Sequence, residues 1–155
     1  MAEPLNLSDL QEPLNLPFPA ATKQVAGLVN GTQTDVMCIS FNDRILITIS
    51  QKGRLGHWLH VPLENRNPGT DGAHTLPDSD DSLLPISSLT ATSLLGGHVP
   101  GHDTVGQLYA RQIASAIVTK TPNEKRLLVV GLGLETADAH RDIFFSIIDL
   151  VLQCI

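Results

Sequence analysis

The sequence predicts a single α+β domain in which about six mainly antiparallel strands form one sheet and two helices cover one of its faces. In the first third of the chain, short apolar runs are separated by turn signals such as Asn30-Gly31, which is typical of a strand meander. In the last third, two amphipathic stretches flank an almost wholly apolar run, which favours a helix, a strand and a helix. The length of 155 residues suits one domain with its own core.

Five strands are expected before the first helix. Their expected bounds are Thr22–Val29, Thr34–Phe41, Arg44–Ser50, Leu55–Leu63 and Ile86–Leu95. Most are rich in β-branched or other apolar residues and end at a turn signal. In the third strand Ile45, Ile47 and Ile49 alternate with smaller residues, so they share one face.

The helices have recognisable starts. Thr104 with Gln107 three residues later forms a capping-box pattern, which predicts a helix from Thr104 to about Lys120. The run Leu127–Leu134 predicts a strand that is covered on both faces. Thr136 can cap the last helix, whose apolar side chains recur at helical spacing to the C-terminus.

The acidity of the chain belongs to two segments. The net charge is −6, yet residues 1–21 carry −3, residues 64–82 carry −4, and the remaining 115 residues carry +1. Both acidic segments are rich in proline or glycine, which predicts a disordered tail at 1–21 and a disordered loop at 64–82. The domain is then residues 22–155.

The tail contains a repeat. Glu3-Pro4-Leu5-Asn6-Leu7 recurs nine positions later as Glu12-Pro13-Leu14-Asn15-Leu16. Two copies are too few for a solenoid, and the prolines disfavour both helix and sheet. The segment is either a plain disordered tail or a linear motif in two copies whose leucines dock in a groove.

The predicted sheet has more surface than two helices can cover. Residues expected on its second face are Leu46, Thr48, Thr90, Thr92 and either Trp58 or its neighbours Leu59 and Val61. A semi-apolar face of this size is typical of an interaction surface. The sequence therefore predicts a protein partner, most simply in a sheet-on-sheet dimer.

Composition excludes several other partners. The chain has no basic cluster, which argues against binding nucleic acid or an anionic membrane. No apolar run approaches the roughly 18 residues of a membrane-spanning helix, and the N-terminus lacks the pattern of a signal peptide. Cys38 and Cys154 are far apart in sequence, as expected for buried thiols in a reducing compartment.

Glycine motifs give weak indications of nucleotide binding. Gly131-Leu132-Gly133 lies between a strand and a helix, but Thr136 stands where a dinucleotide fingerprint needs its third glycine. A tight exit from the strand explains it better. The loop from Gly96 to Gly101 lacks the Gly-Lys-Ser/Thr of a phosphate loop, although anion binding at the following helix start stays open.

Metal-binding and catalytic patterns are no stronger. His57 and His60 are three positions apart in a strand, so their rings point to opposite faces. His98, His102 and Asp103 are close in sequence, but zinc needs a further ligand and no thiol is near. The serines show no nucleophile elbow or His–Asp pattern. The chain is therefore expected to have no catalytic residue, no cofactor and no metal site.

The predicted strand Thr34–Phe41 is followed by the apolar strand Arg44–Gln51 and by the continuation Lys52-Gly53-Arg54-Leu55-Gly56. In these stretches the chain resembles the proteasome assembly chaperone 3 family. The likeness resumes in four later stretches: the strand ending Leu94-Leu95-Gly96, the helix through Ala114, the apolar strand Leu127–Leu134, and the C-terminal helix that carries Cys154. It covers most of the core residues and the whole order of elements.

The resemblance implies a six-stranded sheet, two helices and no catalysis. It also implies a heterodimer with the related chaperone 4. The pair would bind α-type subunits of the 20S proteasome, promote assembly of the α-ring and leave before the core particle is complete. The expected location is the cytoplasm, with the nucleus left open. The tail and the acidic loop look like additions to the family pattern.

Three further expectations complete the interpretation. The turn formed by Gln51, Lys52, Gly53 and Arg54 is the candidate partner-binding site, because its two cations can pair with an acidic partner surface; the alternative is an ordinary solvated hairpin. One alternative function is a small homodimeric binding or scaffold module. The other is a nucleotide- or phosphate-binding enzyme that uses the glycine loops.

Overall fold

A computed structural model describes residues 19–64, 88–137 and 140–155. These residues form six strands and two helices. In chain order they are β1 (Ala21–Val29), β2 (Thr32–Ser40), β3 (Arg44–Gln51), β4 (His57–Pro62), β5 (Thr92–Leu95), α1 (His102–Lys120), β6 (Leu127–Gly133) and α2 (Arg141–Cys154). The predicted α+β class, with one sheet and two helices, is confirmed.

The first three strands form the predicted antiparallel meander. β1 and β2 are joined at Asn30 (φ 48°) and Gly31 (φ 76°), the left-handed pair that a tight two-residue hairpin requires. A second left-handed pair, Lys52 (φ 55°) and Gly53 (φ 70°), turns the chain after β3. Both turns lie where the sequence predicts them.

The sheet is mixed. Its strand order is β1-β2-β3-β6-β4-β5, and β6 pairs parallel with β3 and antiparallel with β4. The connection from β3 to β4 therefore crosses the end of β6, where the Gly56 amide donates to the Leu132 carbonyl at 3.0 Å. A Cβ at Gly133 would lie 1.6 Å from the Arg54 carbonyl oxygen, so this crossing needs a glycine beneath it.

Both helices lie on the same face of the sheet. α2 contacts β1 and β2, whereas α1 contacts β4, β5 and β6. The strand side chains beneath them, including Ile47, Leu59 and Val130, are fully buried. Tyr109 of α1 and Phe144 of α2 stack with ring centroids 4.7 Å apart, which ties the two helices together over the core.

The capping predictions are wrong. α1 begins two residues before Thr104, after the left-handed Gly101, and no side chain caps it. Gln107 donates instead to the Asp103 carboxylate at 2.8 Å. α2 begins after His140 rather than at Thr136.

The fifth strand is shorter than predicted. It spans Thr92–Leu95, and residues 88–91 precede it without forming a strand. The start of the predicted strand, at Ile86, lies outside the described residues. So do residues 1–18 of the predicted tail and residues 65–82 of the predicted acidic loop.

Candidate protein-binding surface

The face of the sheet opposite the helices is the candidate site, and we call it the open face. Two rows of side chains cross all six strands on it. The first row is Gln24, Met37, Thr48, Gly131, Trp58 and Leu95, and the second is Thr22, Ile39, Leu46, Val129, His60 and Thr92. Neither row contains a formal charge at neutral histidine, which is the composition of an interface core rather than of a solvated face.

The open face matches the sequence prediction in most positions. Leu46, Thr48 and Thr92 lie on it as expected, and of the two options around Trp58 it is Trp58 itself that faces outward. Leu59 and Val61 point to the helices and are fully buried. Among the described residues, one face of the sheet therefore packs into the core under the helices, and the other is an open, mostly uncharged surface.

Trp58 is the largest side chain on this face. It is paired with Gly131, and a Cβ at that glycine would lie 2.8 Å from ring carbon Cζ3 of the indole. The ring therefore lies flat across β6 and stays half-buried. Gly131 belongs to the motif that resembled part of a dinucleotide fingerprint, and in the fold it makes room for an aromatic ring.

Two leucines extend the open face to the edge of the sheet. The pairing of β4 with β5 shifts register between Trp58 and Leu59, so that Leu95 stands opposite Trp58. Leu94 is 52% exposed and Leu95 is 65% exposed. An irregular edge strand resists uncontrolled strand pairing while it presents apolar side chains next to the indole.

The predicted contact turn is partly structural. Gln51 is buried, donates from Nε2 to the Thr34 hydroxyl at 3.0 Å, and accepts from the Glu135 amide at 2.8 Å. The Lys52 ammonium pairs with the Glu135 carboxylate, which lowers the pKa of Glu135. Arg54 is exposed and, within the described residues, makes no side-chain hydrogen bond or ion pair, although its charge helps to lower the pKa of Glu135. The partner-binding role of this turn, including Gly53, stays a prediction.

Sequence reasoning missed a partly buried polar cluster on the helix side, in which His57 is the buried member. The Ser93 hydroxyl donates to the Asp103 carboxylate, so His57 Nε2 donates to Ser93 Oγ at 2.9 Å. Burial lowers the pKa of His57, and the nearby Asp103 carboxylate opposes that effect. The three residues come from β4, β5 and the first turn of α1, so no local pattern could have revealed them.

The arrangement of this cluster is structural rather than catalytic. In a serine nucleophile the hydroxyl donates its hydrogen bond to the histidine that takes the proton, whereas here the Ser93 hydroxyl donates to the Asp103 carboxylate. The cluster joins the edge strand β5 to α1 and thereby supports the strand that carries Leu94 and Leu95.

Other chemistry-bearing residues stand apart. His57 faces the helices and His60 the open face, as the strand spacing predicts. Within the described residues no three His, Cys, Asp or Glu side chains come together in a metal-binding group. In the same part of the chain, no helix is long and apolar enough to cross a membrane.

Both thiols are buried, as the sequence predicts. Burial raises the pKa of Cys38 and of Cys154, so neither is poised as a thiolate. The Cys154 thiol donates to the Val36 carbonyl at 3.8 Å, which is a packing contact between α2 and β2.

The comparisons with known proteins identify the family. The model of the family described as proteasome assembly chaperone 3 matches residues 47–154. A solved structure titled "Crystal Structure of a Novel Chaperone Complex for Yeast 20S Proteasome Assembly" contains a chain with the same fold. That chain matches with a TM-score of 0.50 and 19% sequence identity, over 86% of this chain and 95% of the yeast one. No curated protein sequence matches.

The family model spans more than two thirds of the chain, from β3 to the end of α2. Assembly chaperones act by association, which confirms the prediction of a non-enzymatic protein. The chain belongs to the proteasome assembly chaperone 3 family.

Proposed function

We propose that this protein acts in a heterodimer with a related assembly chaperone, and that the pair binds α-type subunits of the 20S proteasome and promotes assembly of the α-ring. Family membership supports the proteasome as the object of assembly. The single observation that carries the association is the open face, on which Trp58 is only half-buried and the edge leucines are exposed.

The open face has the size of an ordinary interface. Six strands about 4.8 Å apart and about seven residues long cover roughly 600 Å² of flat area. Side chains add relief to that area, which brings it close to the roughly 800 Å² that each partner contributes to a standard protein interface. A partner with a similar uncovered sheet face could close both surfaces in one sheet-on-sheet packing.

In this proposal the heterodimer acts by steric selection. One α subunit bound to a rigid platform leaves only certain neighbours room to dock, which favours the correct ring order. Release follows when an incoming subunit competes for the same surface. The exposed Arg54 lies beside the platform and suits an acidic patch on the client.

Co-expression tests the proposal. The chain is purified with a candidate chaperone 4-like partner and with α subunits, as wild type, as Trp58→Ser and as the control Leu152→Ser. Leu152 is a 46% exposed leucine on α2, on the other side of the molecule. Trp58→Ser is expected to lose the chaperone partner, and the control to keep it.

Two results would overturn the proposal. One is that the wild-type chain recovers neither the chaperone nor any α subunit. The other is that Leu152→Ser alone loses the partner, since the helices would then form the interface. Sedimentation of the chain alone separates a heterodimer from a homodimeric scaffold: the scaffold sediments as a stable dimer without a second chain.

A further inference from the structure

A pocket of about 430 Å³ lies on the helix side of the sheet, at its β1 edge. It opens between the first residues of β1 and the C-terminal ends of α1 and α2. Four of its lining residues form an apolar floor: Cys38, Ile45, Ile117 and Cys154. We call this the Cys38 pocket.

The rim of the Cys38 pocket is cationic. Lys23 and Lys120 line it and are exposed, and Arg126 lies beside them. Glu124 is the one carboxylate among its lining side chains, and it is already held by Arg126 at 2.7 Å. The Lys120 ammonium donates to the carbonyl of Ile155, which also lines the pocket. The pocket therefore offers one further exposed cation, Lys23, beside an apolar floor. Such a pocket suits an apolar side chain with a carboxylate a few ångströms away.

The chain itself contains a segment with that chemistry. The described structure enters β1 at Ala21, which lines the pocket, and residues 1–20 carry three acids and no base. Within them Glu12-Pro13-Leu14-Asn15-Leu16 places an acid and two leucines at alternating positions. In an extended chain these three side chains share one side, which matches a charged rim and an apolar floor.

We propose that the Cys38 pocket binds this segment, with Leu14 and Leu16 on the floor and Glu12 beside Lys23. Leu16 is five residues before Ala21, so at most about 17 Å of chain separates it from the pocket mouth. Pro17 and Pro19 suit the turn that brings the segment back.

The earlier copy, Glu3 to Leu7, is tethered by nine more residues. Its effective concentration at the pocket is therefore lower, because that concentration falls as a flexible tether lengthens. The copy nearer to β1 is the occupant that the geometry favours.

Labelling of Cys38 measures the occupancy of the pocket. The full chain is treated with a small uncharged alkylating reagent, and peptide mass spectrometry follows Cys38 separately from Cys154. In Leu14→Ser/Leu16→Ser, labelling of Cys38 is expected to be at least fivefold faster than in wild type. In the matched control Leu5→Ser/Leu7→Ser, the change is expected to stay below twofold. Equal melting temperatures of the three proteins verify that the reagent enters through the pocket and not through unfolding.

Charge gives an independent readout. Raising the salt concentration is expected to speed Cys38 labelling in wild type and to have a smaller effect in Glu12→Gln, which has already lost the ion pair with Lys23. A photo-crosslinking residue at position 14 is expected to label Ile45 or Ile117 of the same chain. Mixed light and heavy chains distinguish this from a contact with a second copy.

Three outcomes would overturn the proposal. The first is unchanged labelling in Leu14→Ser/Leu16→Ser. The second is acceleration in the control as large as in the test variant. The third is crosslinking from position 14 outside the pocket or between light and heavy chains. None of these outcomes affects the proposed assembly function, because the open face lies on the other side of the sheet.

Discussion

The indole of Trp58 lies directly over Gly131, so close that a Cβ on the glycine would stand 2.8 Å from the ring. The two residues face each other on neighbouring strands of the open face. A glycine on a central strand weakens the strand locally, and here it lets the largest side chain of the face lie flat. A flat aromatic surface is what a second sheet can pack against.

Replacing Gly131 with alanine therefore tests the packing of the indole. The ring must lift or the strands must shift, which is expected to lower the free energy of unfolding by about 1–3 kcal/mol. Trp58 is the sole tryptophan of the chain, so its fluorescence reports directly on the change. The emission maximum is expected to move to longer wavelength in Gly131→Ala, and partner affinity is expected to fall.

The control for this substitution is Gly56→Ala. A Cβ at Gly56 meets nothing within 4 Å, so this change is expected to stay within about 0.5 kcal/mol of wild type. If both variants melt alike and emit alike, the ring does not depend on the glycine beneath it.

The second prediction separates structure from contact in the turn after β3. Gln51→Ala removes the side chain that bridges Thr34 and the Glu135 amide. Because the buried Thr34 hydroxyl then loses its donor and the Glu135 amide its acceptor, the free energy of unfolding is expected to fall by about 1–3 kcal/mol. Chemical denaturation measures the loss.

Arg54→Ala is the change to compare with Gln51→Ala, because it removes an exposed side chain from the same turn. This side chain is exposed, so stability is expected to stay within about 0.5 kcal/mol of wild type. Affinity for an α subunit is expected to fall, most clearly at low salt. A stable Arg54→Ala with wild-type affinity at every salt concentration would remove this turn from the binding surface.

The third prediction concerns acid sensitivity near neutral pH. Burial between β4 and α1 lowers the pKa of His57 below its usual value of 6.5, so the unfolded chain takes up the proton more readily than the folded one. The contribution of neutral His57 to stability is therefore complete above about pH 6.5 and declines as the pH falls towards the lowered pKa. The slope is at most about 1.4 kcal/mol per pH unit for one proton.

Melting temperatures between pH 7.5 and pH 5 provide the measurement. His57→Gln is expected to flatten the decline, whereas His60→Gln, on the opposite face, is expected to keep the wild-type slope. Asp103 and His102 are the other ionisable groups that act on His57, and both remain in each variant. An unchanged slope in His57→Gln would assign the decline to another group.

The sequence could predict those features of the fold that are encoded within one short segment of the chain. The alternation of Ile45, Ile47 and Ile49 and the left-handed requirement of Asn30-Gly31 are local, and the structure has both. The insertion of β6 between β3 and β4 is not, because its register joins Thr48 to Gly131 across more than eighty residues. No pattern within either strand specifies that neighbour.

The same distinction explains two failures of the sequence prediction: the wrong helix starts, and the open choice between Trp58 and its neighbours for the second face of the sheet. Thr104 and Gln107 have the spacing of a capping box, but the tertiary bond from Ser93 to Asp103 fixes the first turn of α1 instead. Whether Trp58 or Leu59 faces outward depends on how the loop before β4 is oriented where it crosses β6. The close backbone approach of this loop to Gly133 fixes that orientation, and the approach exists only in the assembled sheet.

The last prediction concerns the start of β6, where Glu124 and Arg126 form a two-pronged ion pair. Arg126 donates from Nε at 2.8 Å and from Nη2 at 2.7 Å, and its Nη1 donates to the Phe41 carbonyl at 2.9 Å. Arg126, held in place by Glu124, thus connects the start of β6 to the turn between β2 and β3. These bonds lower the pKa of Glu124 to about 2.

A lowered carboxyl pKa stabilises the fold above the unfolded value of 4.5, and this contribution is lost as the pH falls from about 4.5 towards 2. Glu124→Gln is expected to lower the free energy of unfolding at pH 7 by about 1–2 kcal/mol, because Arg126 is partly exposed and water screens the pair. The difference from wild type is expected to shrink below pH 4.5. Asp149→Asn, at an exposed carboxylate of α2, is the control and is expected to change little at either pH. If the curves of Glu124→Gln and wild type stay parallel down to pH 3, then the charge of Glu124 does not hold β6 to the turn, and the bond from Arg126 to Phe41 is sufficient by itself.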